Sequence, residues 1–192
     1  MLTCEDEFQA KMMREKIYHH HINSGNQIEW YAKVSYIGRK RTLSEMDLIV
    51  VEKNSKNIIG YEFKFLQKKK LPDNYQQIYS GLGQALLYFW HGIEQNILVI
   101  GISKKVSTVI MKKTIQLISA IDNLNNAMEY RCLGLIVYSE EEDKIIRLLP
   151  PKGKFPVYKL KEMQGDKENI LVGNVGWNRS FLDRYGLTLF HK

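Results

Sequence analysis

Cysteine is almost missing from this sequence. Its 192 residues include two, Cys4 and Cys132. Two thiols exclude a disulfide framework and, within one chain, a four-cysteine metal cluster. Proline is scarce as well: three of the four, Pro150, Pro151 and Pro156, are close together, which leaves only Pro72 to interrupt the first 149 residues. No run of 18 apolar residues is present, so no transmembrane helix is expected. The opening "MLTCEDEFQAKMMREK" is acidic and then mixed. It lacks the apolar centre of a secretory signal, and the expected location is intracellular and cytoplasmic (host cytoplasm for a viral protein). Neither an internal repeat nor a low-complexity tract occurs.

What is present fits one domain with a sizeable core. Hydrophobic residues make up 44% and charged residues 26%, ordinary proportions for a globular chain. Acidic residues are outnumbered, and the net charge is +7. The excess is clustered: "GRKR" at 38–41, "QKKK" at 67–70, Lys104 with Lys105, Lys112 with Lys113, and Lys152, Lys154, Lys159 and Lys161. Such clusters suit a polyanion, most simply nucleic acid. A solvated basic surface is the plainer alternative.

Hydrophobic spacing gives the organisation. Phe8, Met12 and Ile17 recur at helical intervals over 5–18. Strands are expected over 28–38, 44–52 and 57–66, the last two separated by the polar turn cluster "KNSK". A helix begins near Pro72-Asp73-Asn74 and reaches His91. "NILVIGI" (96–102) and "RCLGLIVYS" (131–139) read as buried strands. Between them Val109, Ile110, Leu117, Ile118, Ile121 and Leu124 mark a helix over 106–125. The order is α-β-β-β-α-β-α-β. The last β-α-β requires a crossover and hence parallel strands, whereas the first three strands form an antiparallel meander. The expected fold is α/β, a mixed central sheet flanked by helices. Residues 1–149 form its core. Residues 150–192 read as an appendage on the same domain, mostly loop with one short strand and a last short helix.

The second and third strands carry misplaced charges. In "SEMDLIVVEKNSKNIIGYEFKF", Glu45, Asp47, Glu62 and Lys64 stand among residues that should fill a core, and buried charges are costly unless paired or bound to metal. Strand alternation puts Glu45, Asp47, Ile49 and Val51 on one face and Met46, Leu48 and Val50 on the other. It also sets Glu62 and Lys64 opposite Tyr61, Phe63 and Phe65. A hairpin closed on Asn54-Ser55 places Asp47 across from Glu62 and Glu45 across from Lys64, with Cβ atoms roughly 5 Å apart. Facing carboxylates repel unless a proton or cation lies between them. Mg²⁺ (or Mn²⁺) suits such oxygens, held by one or two carboxylates with water and substrate phosphate; the Phe63 carbonyl would add a ligand. The cation would activate water and polarise a phosphoryl group, and Lys64 would orient that water. The plain alternative is an exposed hairpin with a Glu45–Lys64 ion pair.

The pattern Asp47, a spacer of 14 residues, then Glu62-Phe63-Lys64 resembles the PD-(D/E)XK nuclease superfamily, whose core is αβββαβ. The resemblance covers roughly residues 5–140, with Met46 where the family often has proline. "QALLY" (84–88) is similar to the Gln-x-x-x-Tyr motif of the RecB-like branch. The resemblance implies a restriction-endonuclease-like fold and a Mg²⁺-dependent deoxyribonuclease acting in DNA recombination, repair or replication. Asp47, Glu62 and Lys64 would be catalytic, with Asp47, Glu62 and the Phe63 carbonyl on the metal. A first-helix glutamate would join them; Glu7 is the candidate, with Glu5 and Glu15 as rivals. Gln84 and Tyr88 would contact the nucleic-acid backbone or position the catalytic lysine, Gln77, Arg39, Lys40, Arg41, Lys68 and Lys69 would contact DNA, and the family's endonucleases are often homodimers. The iron–sulfur cluster of some relatives needs four cysteines and is not expected. A nucleic-acid-binding protein that keeps the fold without catalysis is the alternative. His19, His20 and His21 read as the end of the first helix. Trp30, Tyr31, Trp90 and Trp177 are candidates for base stacking or for the core.

Overall fold

The structure is a computed structural model that describes residues 1–67, 71–106, 111–112, 114–116, 118–120, 123 and 131–188. The chain starts with α1 (Glu5–Met12), a π-helical stretch (Met13–Ile17) and α2 (Tyr18–Asn23), which follow one another without a break. The first helical segment therefore runs past residue 18 and through the three histidines. Three strands follow: β1 (Ile28–Ile37), β2 (Lys40–Glu52) and β3 (Asn57–Leu66). Helix α3 (Leu71–Leu87) ends in a 3₁₀ turn, Tyr88–His91, and leads into β4 (Gln95–Ile102). Helical residues at 111–112, 114–116, 118–120 and 123 precede β5 (Leu133–Ser139). Of the stripe expected there, Ile118 is described and buried; Val109, Ile110, Leu117, Ile121 and Leu124 lie outside the described residues.

The seven strands form one mixed sheet in the order β6-β5-β4-β3-β2-β1-β7. β1, β2 and β3 are an antiparallel meander, and β3, β4 and β5 run parallel, as the sequence pattern requires. Strand β6 (Lys144–Leu149) pairs antiparallel with β5. Its residues are half-buried to exposed, so its hydrophobic signal is weak.

Beyond residue 150 the chain is more ordered than its prolines and lysines suggest. Helix α4 (Lys161–Leu171) takes the place of an expected loop. Gly165 lies in its middle and its mean hydropathy is low, so propensity hides it; burial of Met163 and Ile170 holds it in place. The two-residue β7 (Val175–Gly176) pairs with β1, and α5 (Arg179–Arg184) is capped by the Asn178 side chain accepting from the Phe181 N–H.

The core lies on both sides of the sheet. Phe8, Met12 and Ile17 from the first helical segment, with Phe181 and Leu182 from α5, cover Leu48, Val50, Tyr61, Phe63 and Phe65. Phe8 stacks on Phe65 at 5.2 Å between ring centroids. On the other side, Ile78 and Ala85 of α3 cover Leu98 and Ile100, while Tyr88 and Ile170 pack with Ile49, Val51 and Ile58.

Candidate active site

The register of the β2–β3 hairpin is the expected one, Leu48 with Tyr61 through Glu52 with Asn57. The connection is a four-residue loop over 53–56 rather than a two-residue turn on Asn54-Ser55. The carboxylate of Glu52 explains the longer loop, since it accepts from the side chains of Asn26, Ser55 and Asn57 and pairs with His21.

The β2–β3 ladder ends at Leu48–Tyr61. Asp47 and Glu62, next in register, stand where the pairing stops, and side chains replace the missing ladder bonds. The Asp47 N–H donates to the Tyr88 hydroxyl at 2.8 Å, and the Asp47 carbonyl accepts from Gln9 Nε2 at 2.7 Å. Its carboxylate accepts from the Phe63 N–H at 2.9 Å through Oδ2, and from Lys33 Nζ at 2.8 Å through Oδ1. Tyr88 passes its own proton on, donating to Glu62 Oε2 at 2.5 Å. Glu62 Oε1 is held by Lys64 Nζ at 2.6 Å. Asp47, Glu62, Lys64 and Tyr88 thus converge.

Burial makes this cluster electrostatically tense. Glu62 is 1% exposed. Its desolvation, and next the charge of Asp47, push its carboxyl pKa up to about 7 against the opposing pull of Lys64. Burial works against the ammonium of Lys64, but Glu62 and Glu5 outweigh it and raise its pKa. Burial, reinforced by the two acids, holds the Tyr88 hydroxyl protonated far above its ordinary range.

Two glycines make room for these side chains. A Cβ on Gly60 would lie 2.5 Å from the Tyr88 ring, and one on Gly81 would lie 2.7 Å from Cγ of Lys64. Gly60 therefore seats Tyr88, and Gly81 lets the lysine stem run beneath α3.

Several expectations about the site need correction. The first-helix glutamate that reaches it is Glu5, not Glu7. Glu5 accepts from the Phe65 N–H at 3.1 Å and lies 3.7 Å from Lys64 Nζ. Glu7 turns back to accept from the Thr3 N–H, and Glu15 pairs with Lys11 two helical turns further on. Glu45 is exposed and does not meet Lys64, because the strands no longer pair beyond Leu48. Alternation also fails in β2: Met46 packs with Ile49 and Val51, while Leu48 and Val50 face the other side. Opposite Asp47, Lys33 has a φ of 52° and drops out of the β1–β2 ladder between its neighbours Ala32 and Val34, which pair with Leu48 and Met46.

The residues expected to touch DNA are scattered. Tyr88 is 1% exposed and binds the two acids from within, so it faces no open surface. Gln84 is half-buried and accepts from the Ser80 hydroxyl at 3.4 Å. Gln77 does line an open cavity of 590 Å³ with Glu5, Lys64, Asp73 and Gln76. Its Oε1 is buried without a hydrogen-bond partner among the described residues. Arg39, Lys40 and Arg41 are exposed at the β1–β2 turn, about 20 Å of strand from Asp47. Lys68 and Lys69 lie outside the described residues. His19 and His20 are exposed, and His21 is buried against Glu52 and Tyr61. Trp30 and Tyr31 belong to the core, whereas Trp90 is half exposed.

Gln9 and Lys33 were not singled out from the sequence. Lys33 carried the same signal as Asp47, a charge inside an apolar strand ("YAKVSY").

Among the described residues the groups that could ligate a cation here are hard carboxylate and carbonyl oxygens, a set that suits Mg²⁺ or Mn²⁺ and not softer metals. Among the described residues no three His, Cys, Asp or Glu side chains are already arranged around one metal position. Two carboxylates are nevertheless the number Mg²⁺ commonly takes from protein, with water and phosphate completing its shell. Glu5, Asp6, Asp47 and Glu62 face the two ammonium groups of Lys33 and Lys64; with all ionised, the excess negative charge equals one divalent cation. Compared with known proteins, the chain matches no family model and no curated protein sequence. No helix among the described residues is long and apolar enough to cross a membrane.

Proposed function

We propose that the protein is a Mg²⁺-dependent nuclease that hydrolyses phosphodiester bonds in DNA. The observation that carries this reading is the meeting of Asp47 and Glu62 at the end of a strand ladder, with Lys64 on Glu62 and Tyr88 bridging both. Asp47 and Glu62 would hold the cation, the Phe63 carbonyl would be a further ligand, and the metal would supply an activated water and charge stabilisation at phosphorus. Lys64 lines the 590 Å³ cavity and would orient the water or steady the phosphate. Glu5 keeps Lys64 in place from the opposite side. The basic clusters and the +7 charge supply attraction for the backbone. A homodimer would let two such sites act on two strands.

A second reading has one observation in its favour. Each carboxylate oxygen of Asp47 and Glu62 already has a protein donor, so the cluster is self-consistent as an ion-pair network in a nucleic-acid-binding protein without catalysis. Incubation of labelled linear, circular single-stranded and four-way-junction DNA with Mg²⁺, with Mn²⁺ and with chelator separates the two. The nuclease reading expects metal-dependent cutting that disappears in Glu62→Gln. Salt-sensitive binding with no cutting under any metal would establish the second reading instead.

A further inference from the structure

Lys33 is the residue of the cluster that the nuclease pattern leaves unexplained. It lies in the middle of β1, and its φ of 52° is a left-handed conformation that is unfavourable for a residue other than glycine. Ala32 still pairs with Leu48 and Val34 with Met46, and the register shifts between Val34 and Tyr36, so Lys33 faces Asp47 at the start of an irregular stretch of β1. The distortion brings the ammonium onto Asp47 Oδ1 at 2.8 Å and to Asp6 Oδ1 at 3.2 Å. The Lys33 side chain is 11% exposed, and that of Asp6 is 40% exposed. Asp47 Oδ2 is already committed to the Phe63 N–H. Oδ1 is therefore the oxygen a cation would take, and Lys33 stands on it.

On the reading of Asp47 and Glu62 as the cation's ligands, we propose that Lys33 is a positioning residue that competes with the divalent cation for Asp47. With no metal bound, its ammonium neutralises Asp47 and keeps the two acids from driving each other apart. When the cation arrives, Lys33 gives up Oδ1 and stays on Asp6, its second partner, at the edge of a smaller cavity that Glu45 and Arg184 also line. The metal affinity of the free protein is thereby held down. Lys64 stands on Glu62 rather than on Asp47 and lines the larger cavity, so substitutions at Lys33 leave its contact in place.

The test is a Mn²⁺ titration of the full chain without DNA, following the EPR signal of free Mn²⁺. Wild type, Lys33→Met, Lys33→Gly, Lys33→Arg and Asp47→Asn are compared. Glycine removes the charge while accepting the positive φ, so it separates loss of the ammonium from loss of the fold, which thermal melts record in parallel. Lys33→Met and Lys33→Gly are expected to bind Mn²⁺ at least about fivefold more tightly than wild type, since a neighbouring positive charge has gone. Lys33→Arg should stay near wild type, and Asp47→Asn should lose binding. Wild-type binding with no tightening in Lys33→Met and Lys33→Gly overturns the competition alone. No Mn²⁺ binding by any form, or unchanged binding in Asp47→Asn, overturns the metal site as well.

Discussion

Each polar group of Asp47 is taken by a different part of the fold: Gln9 from α1, Lys33 from β1, Phe63 from β3 and Tyr88 from the turn after α3. Few surface ion pairs are tied down in this way, and the consequences are measurable residue by residue. Tyr88→Phe removes a buried hydroxyl that serves both acids, leaving an unmatched N–H and an unmatched carboxylate oxygen. Chemical denaturation should show a loss of about 1–3 kcal/mol. Glu62 gives a pH signature. Its folded-state pKa is raised from 4.5 to about 7, so the folded protein binds this proton more tightly than the unfolded chain. The resulting stability is complete below the unfolded value and is lost as pH rises through 7. In chelator, wild type should lose stability between pH 5 and pH 8, on the order of 3 kcal/mol for this group, and Glu62→Gln should flatten that part of the profile. An unchanged slope in the variant would assign the pH dependence elsewhere.

At the scale of elements, the site depends on a hairpin that pairs firmly at one end and opens at the other. Glu52 closes the firm end by accepting from Asn26, Ser55 and Asn57 and pairing with His21. Glu52→Ala would strand these donors, and about 3 kcal/mol of destabilisation is expected in urea. Helix α3 and the turn after it meet the hairpin through two close approaches. Gly60→Ala would drive a methyl into the Tyr88 ring and Asn96, a cost of about 1–3 kcal/mol with loss of any metal-dependent cutting. Gly81→Ala would ordinarily strengthen a helix by roughly 0.5–1 kcal/mol. Here the methyl meets the Lys64 stem and Leu98, so thermal stability should not rise, and any metal-dependent cutting should fall. The register of the hairpin was legible in the sequence, because the apolar runs on either side of the polar cluster at 53–56 centre it there, although the loop is longer than the turn read on Asn54-Ser55. The opening after Leu48 was not, because it comes from Gln9, Lys33 and Tyr88 on three other elements.

For the whole molecule, the C-terminal segment is part of the sheet and the core. β7 pairs with β1, and Met163, Ile170, Phe181, Leu182 and Leu187 are buried. A chain ending at residue 149 would expose all of these contacts, and it is expected to melt without a cooperative transition by circular dichroism, while the full chain melts in one step. The positive charge of the molecule makes a separate forecast. If the basic surface tracks phosphates, log affinity for DNA should fall linearly with log salt, with a slope of about −0.9 per phosphate neutralised on duplex. Binding that ignores salt would remove nucleic acid as the partner.

The sequence by itself determined the order of the first helix, the meander and the parallel strands, because period-2 and helical hydrophobic patterns are local. It also placed Asp47 and Glu62 across from one another, since a hairpin register follows from its turn and its apolar faces. Only the tertiary structure decided that Glu5 rather than Glu7 reaches Lys64, that Tyr88 turns inward to join the two acids, and that Lys33 leaves its strand to meet Asp47. Those choices depend on the angle at which helices cross the sheet and on where a ladder stops, and such long-range geometry leaves no periodic trace in the chain.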